Sequence, residues 1–196
     1  MSALVPLLAL IDPFEDALGR IAAALRVPVI VLALAALLAI AWELGAFAVE
    51  WWRRHRPRAV ALTALVTAAR SDPAYLHELV RRAPSAAAAD AVAGLAADDP
   101  ERVLARFELA VQRRLDRTRL LVRAGPALGL MGTLIPLAPG LAALGRGDVA
   151  SLADDLQTAF AATVVGLLVG TAAFAITLAR TRMYTEDLAA LEEAVR

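Results

Sequence analysis

Two threonines stand inside long apolar stretches of this chain, where a hydroxyl has few partners other than the protein itself. Thr133 lies in the segment GLMGTLIPLAPG, and Thr163 lies in AATVVGLLVG. Hydroxyls in such surroundings can receive a carboxylate or a small cation that is otherwise costly to bury. Alternatively, each hydroxyl donates to a carbonyl of its own helix one turn back. For a single threonine, the sequence favours neither interpretation over the other.

Small residues accompany both threonines at helical spacing. In the first stretch they recur every three or four positions and share one helical face: Gly125, Gly129, Gly132, Pro136 and Gly140. In the second stretch a GxxxG pair, Gly166 and Gly170, lies on the same side as Thr163. Because small side chains let membrane helices approach closely, these faces are predicted to pack against other helices.

The elements that carry these residues are predicted to be membrane helices. Of the 196 residues, 60% are hydrophobic, well above the share in a soluble domain. Three segments reach the roughly 20 apolar residues needed to cross a bilayer. The fold class is therefore an all-α integral membrane protein with three transmembrane helices. The predicted parts are an outer-surface amphipathic helix (1–26), the first span (27–52), a cytoplasmic helical insert (53–123), the second span (124–144), a short outer hairpin (145–158), the third span (159–179) and a cytoplasmic helical tail (180–196).

Arginines set the predicted orientation. Eleven flank one end of the spans and three lie near the other, at Arg20, Arg26 and Arg146. The first span ends in Trp51 and Trp52 before its arginines, as helices do at a membrane interface. The positive-inside rule then predicts an outer N-terminus and a cytoplasmic C-terminus.

Helix signals are frequent outside the spans. Asp12 and Pro13 predict the start of a surface helix, and Val27-Pro28 predicts its break before the first span. In the insert, helices are predicted to begin at Asp72-Pro73, after Ser85 and at Asp99-Pro100. The last of these is expected to run into the second span, and the third span is expected to continue into the tail.

Several acids lie in or near the spans. Asp148 or Ser151 can cap the third span. With Asp154 and Asp155, Asp148 could form an acidic rim that attracts cations, although three exposed carboxylates are more often part of a solvated turn. Glu43, inside the first span, is a possible structural acid that pairs with an arginine of a neighbouring subunit or reaches the inner headgroups.

Composition argues against several classes of function. The chain has no cysteine and two histidines, so neither a thiolate site nor a zinc motif is expected. We expect no metal site and no cofactor. No nucleophile with a base, paired acid and base, or phosphate loop stands out, so we expect no enzyme. No nucleic-acid partner is expected either, since the formal net charge is zero.

The arrangement resembles the MotA/TolQ/ExbB proton channel family, especially its TolQ and ExbB branch. The motifs that carry the resemblance are the GLMGT run from Gly129 to Thr133 and the segment from Ala159 to Leu167. The resemblance extends over most of the chain, because the family also has three spans, a helical insert after the first span and a hairpin formed by the last two.

This resemblance implies a homo-oligomer, expected to be a pentamer, in the inner membrane of a prokaryote, with the second and third spans lining a pore. A single-span partner like ExbD, TolR or MotB would bring a transmembrane aspartate, and Thr133 and Thr163 would line the ion path. Protons, or alternatively sodium ions, would be transported, with membrane lipids around the ring. Many members carry a glutamate about five residues before the third-span threonine, where this chain has Thr158. Thr158 is therefore a third pore-lining candidate.

The sequence also suggests an extra break at Pro136 and Pro139 in the second span. A second class of function stays open, namely a non-conducting oligomeric scaffold or transporter subunit. Such a protein would use the same small-residue faces only to assemble.

Overall fold

The computed structural model describes residues 4–55, 62–71, 76–95 and 99–195, and within these ranges every regular element is a helix. The helices are α1 (Leu4–Arg54), α2 (Leu62–Ser71), α3 (Leu76–Arg82), α4 (Ala86–Gly94), α5 (Pro100–Gly145) and α6 (Val149–Val195). Three contain stretches long and apolar enough to cross a membrane, with mean hydropathy between 1.7 and 2.5. The predicted fold class and its three spans are confirmed.

The first helix contradicts two details of the sequence prediction. Helix α1 runs without a break from Leu4 to Arg54, so Asp12 does not begin a helix and Pro28 does not end one. Contacts on either side of Pro28 explain why the helix tolerates this proline. Arg26 pairs with Asp155 at 3.2 Å, and Val29 is only 3% exposed. These contacts hold the chain helical although Pro28 lacks a backbone N–H.

The second and third spans belong to helices longer than a bilayer requires. Helix α5 begins at Pro100, where Asp99 accepts a hydrogen bond from the backbone N–H of Glu101 at 3.4 Å, and it continues as helix into the second span as expected. Pro126, Pro136 and Pro139 all lie inside it, so the expected break at Pro136 and Pro139 is wrong. Helix α6 likewise continues past the third span to Val195.

A tight turn joins α5 to α6. Gly147 has a φ of +81°, which favours glycine. Asp148 then caps α6, because its Oδ1 accepts from the backbone N–H of Ser151 at 3.0 Å and its Oδ2 accepts from the Ser151 hydroxyl at 2.5 Å. These two hydrogen bonds lower the pKa of the Asp148 carboxyl. Since α6 starts at Val149, most of the predicted hairpin 145–158 is already helical.

The chain folds as two compact units, residues 1–39 with 122–171 and residues 40–121 with 172–196. The second unit contains an apolar core built from α2, α4, the start of α5 and the end of α6, with Val66, Ala88 and Leu191 fully buried. Ser85 caps α4 as predicted, since its hydroxyl oxygen accepts from the backbone N–H of Ala88 at 3.1 Å. The predicted start at Asp72-Pro73 lies outside the described residues.

Candidate functional site

The predicted glycine faces meet each other within one chain. A β-carbon built on Gly166 would lie 2.5 Å from the carbonyl oxygen of Gly125 and 2.7 Å from the Cα of Gly129. One built on Gly132 would lie 2.5 Å from the β-carbon of Ala162. Backbone atoms of α5 and α6 thus touch along this seam, which only glycine permits.

The two helices are also in close contact at both ends of the seam. A β-carbon on Gly170 would come within 2.8 Å of Pro126, and one on Gly140 would lie 3.2 Å from Leu152. Close packing of α5 on α6 therefore accounts for the glycines without a second subunit. Their proposed place around a pore stays a prediction.

Each candidate threonine donates its hydroxyl hydrogen to its own helix. Thr133 Oγ1 donates to the carbonyl of Leu130 at 2.7 Å, Thr163 Oγ1 to that of Ala159 at 3.3 Å, and Thr158 Oγ1 to that of Asp154 at 3.1 Å. The intrahelical alternative is thus observed for all three. Because a hydroxyl has two lone pairs, each threonine can still accept a hydrogen bond.

The three threonines lie in different surroundings. Thr163 belongs to the glycine seam, since its Cα lies 3.4 Å from a β-carbon built on Gly129. Thr133 follows Gly132, which contacts Ala162 across the seam. Thr158 instead lines an apolar cavity of about 240 Å³ that also includes Pro136 and Arg26. The structure therefore places Thr158 beside α1, at a cavity that neither Thr133 nor Thr163 lines.

Of the three hairpin acids, two have definite structural partners. Asp148 caps α6, and Asp155 pairs with Arg26 at 3.2 Å. These contacts explain both carboxylates without a bound cation. Within the described residues, no group of three or more histidine, aspartate or glutamate side chains could hold a metal ion.

A second polar site, which we call the buried charge cluster, joins α1 to α6 in the second unit. It consists of Glu43, Glu50, Arg54, Arg180, Tyr184 and Asp187. Arg180 is fully buried, with its Nη1 donating to Glu43 Oε2 at 2.5 Å and its Nε lying 3.4 Å from Glu50 Oε2. Glu43 thus pairs with an arginine of its own chain.

The other half of the buried charge cluster is a bidentate ion pair between Arg54 and Asp187. The Arg54 guanidinium donates to both oxygens of Asp187, at 3.0 Å for Oδ1. Burial raises the pKa of the Asp187 carboxyl, although these hydrogen bonds act in the opposite direction. Burial, and next the charge of Glu50, raises the pKa of Tyr184. Neither Glu50 oxygen has a hydrogen-bond partner.

Most of this cluster is not predicted from the sequence, where Arg180 is one of the eleven arginines that flank the spans. A signal was present in the spacing. Glu43, Glu50 and Arg54 recur at intervals of seven and four, and Arg180, Tyr184 and Asp187 at intervals of four and three. Either set shares one helical face at the end of an apolar span. Complementary charges on two such faces indicate that the helices pair there.

Comparison with known proteins gives one family match, over the larger part of the chain. Residues 76–193 match the family model described as the MotA/TolQ/ExbB proton channel family. This match covers the insert from α3 onward, both helices of the hairpin and nearly all of the tail. Neither the curated proteins nor the solved structures contain a match to the chain.

Proposed function

The chain belongs to the MotA/TolQ/ExbB proton channel family, and from that premise we propose that it is the ring-forming subunit of a proton-driven membrane motor or energy transducer. Members of this family are multi-pass channel and transducer subunits, not enzymes, and they work in oligomers with a single-span partner. The proposed ring is a pentamer in a prokaryotic inner membrane, with its N-terminus outside. It holds the transmembrane helix of an ExbD-, TolR- or MotB-like partner.

The observation that carries the proposal is the pair of hydroxyls that Thr133 and Thr163 carry on the two helices of the seam, α5 and α6. Thr133 and Thr163 both use their hydrogen within their own helix, so each presents only lone pairs. A protonated carboxyl of the partner can donate to such an oxygen without disturbing the helix. An ionised carboxylate can bind the hydroxyl only if the threonine gives up its intrahelical bond.

This difference supplies a proton-dependent step. Protonation of the partner's aspartate lets it rest against the threonines, and loss of the proton makes the same position unfavourable unless water or a rotated hydroxyl replaces the bond. Each charge that crosses the membrane releases about 2.3 kcal/mol per 100 mV. That energy can bias rotation or rocking of the partner against the ring.

Substitution of the threonines by the isosteric valine tests this function. We expect Thr133→Val and Thr163→Val, co-expressed with the partner, each to lower proton flux into vesicles about tenfold, the effect of losing one hydrogen bond of about 1.4 kcal/mol. Thr177→Val is the matched control, because Thr177 also donates within α6, to Ala173 at 2.7 Å, but lies fourteen residues after Thr163, roughly 21 Å along the helix.

The same assay addresses Thr158 and the choice of ion. Thr158→Val lowers flux only if this residue belongs to the path as well as to the apolar cavity. Replacing the proton gradient by a sodium gradient identifies the transported ion. Wild-type flux in both Thr133→Val and Thr163→Val, with the ring intact, would overturn the assignment and favour a non-conducting scaffold.

A further inference from the structure

A cavity of about 610 Å³ opens in the second unit beside the arginine-rich end of α1. One wall is apolar and follows a single stripe of α1 through Trp42, Gly45, Ala46 and Val49. The far end is formed by Arg53, Arg114 and the start of α4 at Ser85. From Trp42 to Arg53 the helix rises by roughly 16 Å. The cavity is thus apolar at one end and basic at the other.

The charge that this cavity presents is positive. Neither Arg53 nor Arg114 forms an ion pair with any residue that the structure describes. Glu50 also lines the cavity, but both of its carboxylate oxygens are buried from solvent. The accessible charges are therefore two guanidinium groups, the side chains best suited to binding phosphate.

The beginning of α4 adds to this preference for anions. Ser85 and Ala86 lie on the cavity wall, and the first backbone N–H groups of a helix have no partner within it. The Ser85 hydroxyl oxygen accepts a hydrogen bond from the backbone N–H of Ala88. The backbone N–H groups that precede Ala88 in the first turn of α4 do not share this hydrogen bond. The positive end of the helix dipole thus attracts an anion in addition to the two arginines.

The apolar wall distinguishes a lipid from a soluble anion. Trp42 is 78% exposed on a helix whose apolar stretch has a mean hydropathy of 2.5, and Trp51, Trp52 and the arginines follow at the same end. Tryptophan and arginine together mark the level of lipid headgroups. A free phosphate could contact the arginines but would leave the apolar wall uncovered. A phospholipid covers both ends.

We propose that this cavity binds an anionic phospholipid, with the phosphate between Arg53 and Arg114 and an acyl chain along Trp42, Gly45 and Val49. The bound lipid links the end of α1 to α4 and α5 inside the second unit. Binding does not depend on the ion path and would hold equally for a non-conducting protein.

Native mass spectrometry of the detergent-purified protein tests the proposal with phosphatidylglycerol and phosphatidylcholine as probes. We expect phosphatidylglycerol to be retained over phosphatidylcholine. The double variant Arg53→Gln/Arg114→Gln should lower its retention at least fivefold, whereas Arg53→Lys/Arg114→Lys should keep most of it. Arg113→Gln/Arg117→Gln is the matched control on α5, because neither residue lines the cavity.

Two further measurements distinguish a bound phospholipid from a bound free phosphate. Trp42→Ala should weaken retention of both lipids, and inorganic phosphate at millimolar concentration should not displace phosphatidylglycerol. The proposal is overturned if Gln and Lys variants behave alike. It is also overturned if phosphate displaces the lipid while Trp42→Ala has no effect, or if lipid binds only after copies of the chain dissociate.

Discussion

Arg180 is shared between two glutamates of α1 while no part of it reaches solvent. A buried guanidinium stabilises a fold only while its carboxylates are present, since each group left alone keeps its full cost of desolvation. The buried charge cluster is therefore a set of residues that must be changed together.

Arg180→Met tests this dependence. It leaves Glu43 and Glu50 buried without their cation, and we expect it to lower the free energy of unfolding by about 3–5 kcal/mol. Thermal unfolding in detergent measures the change. Adding Glu43→Gln and Glu50→Gln should restore most of the stability. Arg182→Met, at an exposed position two residues on, is the control, and an equal cost for both single variants would contradict the role of the cluster.

Asp187 gives the same site a pH dependence. The pKa of Asp187 is raised in the folded state above its ordinary value of 3.8, so the folded chain binds the proton more tightly than the unfolded chain. This contribution to stability is complete below pH 3.8 and is lost as the pH rises through the raised pKa. Asp187→Asn should remove that part of the slope of unfolding temperature against pH. Glu192→Gln, at an exposed position whose charge does not shift the Asp187 pKa, should retain it. An unchanged slope in Asp187→Asn would refute the assignment.

At the scale of single residues, sequence identified candidates but not their partners. Glu43 was recognised because an acid in an apolar span is unusual, yet its partner is 137 positions away along the chain. Hydroxyl bonds such as that of Thr133 are local and could be anticipated. Long-range pairing required knowing which faces of α1 and α6 meet, and that is set by tertiary packing.

At the scale of helices, the seam between α5 and α6 has no room for a side chain. Gly166→Ala would push a methyl group against the backbone of Gly125 and Gly129, where neither neighbour can rotate away. We expect a loss of about 1–3 kcal/mol in unfolding free energy, the usual cost of overpacking.

Gly19→Ala provides the contrast for this prediction. A β-carbon at Gly19 meets nothing within 4 Å, so the same change in α1 should be neutral or raise stability by about 0.5–1 kcal/mol through helix propensity. Unfolding of both variants in the same detergent measures the difference. Equal effects at the two sites would show that the seam is looser than the structure describes.

Helix boundaries were predicted well where capping chemistry is local, as at Asp99 and Ser85. They were predicted poorly at prolines. A proline inside an apolar segment was expected to break α1 and α5, but both helices continue. Membrane helices tolerate prolines when neighbouring segments hold the backbone in place, and sequence does not show which segments are neighbours.

For the whole molecule, the family assignment predicts an assembly larger than one chain. We expect native mass spectrometry of the co-expressed complex to show five copies of this chain and a smaller protein with one apolar helix and an aspartate. A stable monomer would contradict the ring. The Thr133→Val/Thr163→Val protein serves as the control, because it should form the same assembly while conducting less.

The three prolines of α5 have a mechanical consequence for such an assembly. Each removes the donor for the carbonyl four residues earlier, at Val122, Gly132 and Ile135. Helix α6 has no proline between Val149 and Val195, so its hydrogen-bond ladder is uninterrupted by this cause. Of the two helices of the hairpin, α5 therefore has three levels at which its backbone can bend at low cost, whereas α6 has no such level due to proline.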